Sequence, residues 1–192
     1  MRLLFGSLFM LAIAALAGLG ATWLSLTRHT AFGGLTIGAW TAWPKAGTGD
    51  ADPYARANIA RTGQLPVGLG DGVTFMAQED DNGTPLDGRC TVTLSGTTPA
   101  ARFWTLTLYD LRGNLVANTL NRYGFTSQEI VRDADGQFTI TVTSRAVSGN
   151  WLPTGGDGRY RLLLRLYDTP VGVATRAGRE VPMPRVEAKD CP

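Results

Sequence analysis

Arg102-Phe103-Trp104-Thr105-Leu106-Thr107-Leu108-Tyr109-Asp110-Leu111 is the stretch on which the fold turns. Trp104, Leu106 and Leu108 fall on one side of a two-residue period, and Phe103, Thr105, Thr107 and Tyr109 on the other. A period of two is that of an extended strand, and aromatic and β-branched residues on both sides predict that both faces are at least partly covered. The same alternation recurs outward along the chain. Val73, Phe75 and Ala77 alternate with Thr74 and Met76; Cys90, Val92 and Leu94 with Thr91, Thr93 and Ser95. Phe138, Ile140 and Val142 alternate with Thr139, Thr141 and Thr143; Tyr160, Leu162, Leu164 and Leu166 with Arg161, Leu163, Arg165 and Tyr167. Weaker strands are expected at Leu115–Asn118, Val171–Thr175 and Arg185–Ala188. Asn82-Gly83, Asp87-Gly88, Arg112-Gly113-Asn114 and Asp135-Gly136 supply turns between them. No helix of useful length is expected after residue 63. The expected fold is all-β, an antiparallel jelly-roll-like β-sandwich. The 24 Gly and 10 Pro in 192 residues agree with a turn-rich β protein.

Upstream the pattern changes. Asp52 suits a helix N-cap, Pro53 the first helical position and Gly63 the C-terminal cap, which predicts one short helix over Tyr54–Thr62. Residues 28–51 read as a juxtamembrane tether, and 52–192 as the globular domain. Trp40 and Trp43 have two open readings, at the bilayer interface or packed on the domain. Leu3–Thr27 is an uncharged run of 25 residues. As a helix it spans roughly 37 Å, more than the ~30 Å hydrocarbon core. Residues 1–27 are therefore expected to anchor the chain in the inner membrane as a single span, with the domain in the periplasm. The alternative is a cleaved signal peptide using Ala15-Leu16-Ala17, which secretes the domain to the periplasm. The apolar run continues through Leu19, Trp23, Leu24 and Leu26, where a cleaved peptide usually turns polar.

Charge and cysteine agree with that placement. Arg2 and Arg28 apart, 16 basic residues face 16 acidic ones. A balanced domain has no electrostatic reason to seek nucleic acid. Cys90 and Cys191 are the two cysteines, and an oxidising compartment predicts one disulfide between them; two buried free thiols are the other reading.

A string of motifs carries a resemblance. Phe103 to Asp110 is followed by Gly113, Asn118, Asn121-Arg122-Tyr123, Asp135-Gly136, Asn150-Trp151-Leu152-Pro153 and Leu164-Arg165-Leu166-Tyr167. This pattern, over about residues 72–168, resembles the bacterial domain of unknown function 1214. Asp52-Pro53-Tyr54-Ala55-Arg56-Ala57, with Gly63, Leu65-Pro66 and Gly68, resembles the short, singly anchored proteins that carry this domain alone, without the companion domain of unknown function 1254. The resemblance implies a jelly-roll-like sandwich and no established activity. Asp71 departs from the Glu expected there.

The lone His29 abuts the anchor, so triads, Cys–His dyads and imidazole metal sites lack their imidazole. Carboxylate chemistry or binding remains. Asp110, Glu129 and Asp133 are candidates for glycoside hydrolysis, set against their reading as turn and surface residues. Glu79-Asp80-Asp81-Asn82-Gly83 with Asp87 has oxygen ligands for Ca²⁺, set against a hairpin turn. The candidate binding set is Asn118, Asn121, Arg122, Tyr123, Asn150, Trp151 and Arg165, side chains suited to a glycan or polar headgroup. The opposing reading makes them structural, with Arg165 partly buried against Asp110 or Asp168. No catalytic residue, metal or cofactor is assigned. The expected function is a non-enzymatic, membrane-anchored envelope module that binds a protein partner or an envelope component. The alternatives are a carbohydrate-active or lipid-modifying enzyme using carboxylates, and a lectin-like glycan-binding module.

Overall fold

Alternating apolar and threonine positions become strands whose apolar sides meet in one core. The computed structural model describes residues 2–27, 34–62, 68, 71–171 and 181–191. Two helices, α1 (Arg2–Thr27) and α2 (Pro53–Thr62), and ten strands are found among them. The strands are β1 (Leu35–Ile37), β2 (Trp40–Ala42), β3 (Gly72–Ala77), β4 (Thr91–Gly96), β5 (Phe103–Asp110), β6 (Gly124–Thr126), β7 (Phe138–Thr143), β8 (Asn150–Pro153), β9 (Tyr160–Tyr167) and β10 (Arg185–Lys189). One sheet has the order β1-β2-β3-β9-β5-β6 and the other β10-β4-β7-β8. Phe75, Leu106, Leu108, Leu162, Leu164 and Leu166 from the first share a core with Val92, Leu94, Ile140, Val142, Leu152 and Val186 from the second.

The pairing is antiparallel with one exception. β8 runs parallel to β7, with Ile140 opposite Asn150 and Thr143 opposite Pro153. This corrects the all-antiparallel expectation. The return from β7 to β8 is made by the exposed residues Ser144–Gly149, too short for a helical crossover. A buried asparagine at the start of β8 supports the arrangement instead, as described below.

The tether reading of residues 28–51 also needs correction. β1 and β2 form a hairpin that adds to the six-stranded sheet, Thr41 pairing with Met76 and Ala42 with Phe75. Trp40 is fully buried, and its indole N–H donates to the Pro184 carbonyl at 2.7 Å. Burying a Trp removes about 150–250 Å² from water, a gain no solvated tether offers. Of the two readings for Trp40, packing on the domain is the one observed.

The Asp52 carboxylate accepts from Ala55 N at 3.4 Å at the head of α2, as an N-cap does; Gly63, its expected C-terminal cap, lies outside the described residues. Leu115–Asn118 is no strand: it contributes a single bridge between Leu115 and Tyr109. Of the strand expected at Val171–Thr175, residues 172–175 lie outside the described residues, whereas Arg185–Lys189 is β10. α1 is long and apolar enough to cross a membrane or to act as a signal sequence, and its stretch Arg2–Leu24 is exposed.

Candidate functional site

The β5–β6 connection, residues 111–123, gathers most of the polar residues singled out above. Asp110 starts it. Its Oδ1 accepts from Arg112 N at 2.9 Å and Asn114 N at 2.8 Å, and its Oδ2 accepts from Asn114 Nδ2 at 3.1 Å. Gly113 takes φ 92° in this turn, a conformation costly for a residue with a Cβ. Asn118 then organises the following turn. Its Nδ2 donates to the carbonyls of Val116 and Arg122, and its Oδ1 accepts from Leu120 N and Arg122 N. Both of its donors and its acceptor are thereby used within the loop. Asn121 sits at φ 52° and accepts from the Tyr123 hydroxyl at 3.0 Å.

Arg122 and Trp151 meet at the rim of the two sheets. The guanidinium donates to the Trp151 carbonyl at 3.2 Å and lies 5.8 Å from the Phe125 ring centroid. The indole N–H of Trp151 donates to the Thr143 carbonyl at 2.9 Å, and the residue is half-buried. Asn118, Asn121, Arg122, Tyr123 and Trp151 are thus brought together. Asn150 is not part of that surface. It is buried, its Nδ2 donating to the carbonyls of Val131 and Thr139 and its Oδ1 accepting from Val131 N. It ties the segment around Val131 to the β7–β8 pair.

Arg165 is elsewhere again. Its guanidinium lies 5.5 Å from the Tyr109 ring centroid and donates to the Tyr109 hydroxyl at 3.4 Å. Neither proposed carboxylate is its partner: Asp110 serves its own turn, and Asp168 faces Arg102 at 3.9 Å on the exposed surface. The buried arginine is Arg161, which sequence reading did not single out. It is 8% exposed and its Nε has no hydrogen-bond partner. Burial lowers its pKa, while the nearby Asp110 and Tyr109 act in the opposite direction. The signal available in sequence was the apolar run Leu162-Leu163-Leu164; β9 is a central strand between β3 and β5, and Arg161 and Leu163 are buried on its outer side as well.

The acidic turn is a structural latch. Asp80 accepts from Asn82 N, Thr84 N and Ala188 N, and Asp81 from Ala39 N and Val186 N. These bonds join the turn to the β1–β2 hairpin and to β10. Glu129 accepts from the amide and hydroxyl of Thr126, and Asp133 from Asp135 N and Gln137 N. A shallow polar depression lies between Ser95, Asp135, Gln137 and Arg185.

Residues 71–171 match the family model described as "Protein of unknown function (DUF1214)". The chain belongs to this family. Among solved structures, the VPA0106 protein from Vibrio parahaemolyticus is similar to this DUF1214 chain at 25% identity, covering 74% of this chain and 36% of its own, with a TM-score of 0.58. A putative uncharacterized protein from Burkholderia cenocepacia is similar at 16% identity, covering 89% of this chain and 40% of its own, with a TM-score of 0.48. The DUF1214 chain therefore spans well under half the length of either. No curated protein matches it.

Proposed function

We propose that this protein is a non-enzymatic binding module of the cell envelope, a periplasmic β-sandwich held at the inner membrane by α1. The observation that carries the reading is the employment of the carboxylates. Asp110, Glu129, Asp133, Asp80 and Asp81 each accept hydrogen bonds from their own turn or from a neighbouring element. A glycosidase needs a carboxyl group with a raised pKa as its general acid. Burial raises Asp110, but hydrogen bonds from Asn114, Arg112 and Gly113 outweigh it and the net direction is downward, away from acid catalysis.

Membrane tethering is supported by reach. Seven residues separate Thr27 from Leu35, and eight Cα steps span at most ~28 Å, so a retained α1 holds the domain at the bilayer surface. We read the sandwich as a jelly-roll relative, because the chain crosses between sheets at β3–β4, β4–β5, β6–β7, β8–β9 and β9–β10. The rim formed by Asn118, Asn121, Arg122, Tyr123 and Trp151 is the candidate contact surface for an envelope protein or glycan. Asn150 supports that rim from within, and Arg165 belongs to a separate face.

The test is purification of the full-length protein from its native membranes in a gentle detergent, with mass spectrometry of proteins, lipids and glycans. The expected result is a stoichiometric partner that is lost from the Arg122→Ala, Trp151→Ala double variant. A protein that cleaves glycan or lipid, with activity abolished by Asp110→Asn or Glu129→Gln, would overturn the non-enzymatic reading. Alkaline phosphatase fused after Pro192 should be active; an inactive fusion at normal abundance would reverse the topology.

A further inference from the structure

The outer face of the six-stranded sheet carries a cationic pair over an apolar floor. Trp104, Leu106 and Leu164 point to the core, so the intervening Arg161, Leu163 and Arg165 of β9 and Tyr109 of β5 share the opposite face. Met76 joins them, because it pairs with Leu163 across β3 and β9. Leu163 is 6% exposed although it lies on this outer side. The floor is therefore apolar, and an arginine stands at each end of it.

Both arginines neighbour Tyr109. Tyr109 lies directly opposite Arg161 in the ladder. Arg165 reaches along the strand to the same ring and donates to its hydroxyl. The ion pairs among the described residues are Arg89–Asp87, Arg102–Asp168 and Lys189–Glu187, and they include neither arginine of this face. Arg161 reaches only the Met76 sulfur, at 4.0 Å, and its Nε is buried without a partner. A buried guanidinium without an anion is costly, and an unsatisfied group of this kind in a folded protein calls for an unseen partner. Asp110 is close but its oxygens are held by the turn at Arg112 and Asn114.

We propose that Arg161, Arg165 and Tyr109 bind the carboxylate of a small molecule whose short aliphatic body lies on Leu163 and Met76. The planar fork of an arginine matches a carboxylate with two parallel hydrogen bonds. Half-buried Met76, beside Leu163, gives the rest of the molecule an apolar surface that a bare anion would not use. A macromolecular acidic side chain fits less well, because Arg161 lies under the Gly113 turn: a Cβ on Gly113 would come 3.3 Å from its Nη2. The inference deepens the binding-module reading and rests on it.

The test uses the full-length protein in dodecyl maltoside micelles, with empty micelles as blank, and ligand-observed NMR titration of hexanoate, hexanol, acetate and inorganic phosphate. Saturable hexanoate binding is expected, at least tenfold tighter than hexanol, acetate or phosphate. Arg161→Met and Arg165→Met should each weaken it at least tenfold, and the exposed-surface control Arg102→Met should leave it unchanged. Arg165 is only half-buried, so its variant decides the matter if Arg161→Met fails to fold. Equal binding of hexanol, equal binding of phosphate and acetate, or undiminished affinity in Arg165→Met would each overturn the assignment. So would the absence of saturation by any probe, and that result would leave partner capture through Arg122 and Trp151 standing.

Discussion

A buried side chain that replaces several backbone partners at once is worth more than its size suggests. Asp80 is 3% exposed and accepts three backbone N–H groups, one of them from β10. Asp80→Ala strands those donors and should cost about 1–3 kcal/mol, measured by urea unfolding. Asp80→Asn keeps an acceptor and should cost less. Burial raises the Asp80 pKa, but the hydrogen bonds from Thr84, Ala188 and Asn82 prevail and lower it. Asp87 is lowered from 3.8 to about 2, first by the side-chain hydrogen bonds of Arg89 and next by its backbone N–H. A carboxylate with a folded pKa below its unfolded value stabilises the fold above the unfolded pKa and loses that contribution as pH falls through the folded one. Stability should therefore hold above about pH 4 and fall between pH 4 and 2. Replacing Asp87 with Asn should flatten that acid limb; an unchanged limb would show that Asp87 plays no part in it. Asn150 makes the same point for a neutral group. Sequence reading left it open between a ligand-facing and a structural amide, because residue type alone does not say which way a side chain points. Its three bonds to Val131 and Thr139 make it a staple, and Asn150→Ala should cost about 1–3 kcal/mol through the stranded backbone groups.

At the scale of the element, legibility followed length. β5, β7 and β9 have six to eight residues, long enough for a period of two to stand out. β1, β2, β6 and β8 have three or four, and a run of that length carries no period. Their pairing is set by neighbours: Trp40 by its pocket, β8 by Asn150, β6 by an exceptionally close approach. At Gly124 of β6, a Cβ would fall 2.1 Å from the Leu106 carbonyl oxygen of β5. The obstacle is backbone, so β6 itself has to move. Gly124→Ala should cost about 1–3 kcal/mol by overpacking. Amide hydrogen exchange should accelerate first at Leu108 N, which donates to the Tyr123 carbonyl beside that residue. Loss of protection spread evenly over the sheet would argue against a local cause. The candidate rim was partly legible for a related reason. Asn118, Asn121, Arg122 and Tyr123 are close in sequence and stay close in space, whereas Arg165 and Asn150 are sent to other faces by strand alternation.

For the whole molecule, the decisive element is the last one. β10 is an edge strand that covers β4, and four separate contacts hold it: Asp80 to Ala188, Asp81 to Val186, the Trp40 indole to Pro184, and the cysteines. The sulfurs of Cys90 and Cys191 lie at disulfide distance, 2.07 Å, one residue beyond Thr91 and two beyond Lys189, the pair that ends the ladder. The cross-link closes a loop of 101 residues. Chain entropy makes such a closure worth at most ~4–5 kcal/mol, acting chiefly on the unfolded chain. Cys191→Ser should lower the unfolding free energy by up to that amount, in non-reducing buffer, with the slope against denaturant raised because the unfolded chain expands. The three polar contacts should keep β10 paired in the native state, so its amides should remain protected in that variant. If β10 amides instead exchange freely while the rest of the domain stays folded, the bridge is what docks the strand and the Asp80, Asp81 and Trp40 contacts only follow it. Adding Asp81→Ala to Cys191→Ser separates the two cases. Independent latches give additive losses, whereas a single docking event makes the second change nearly silent.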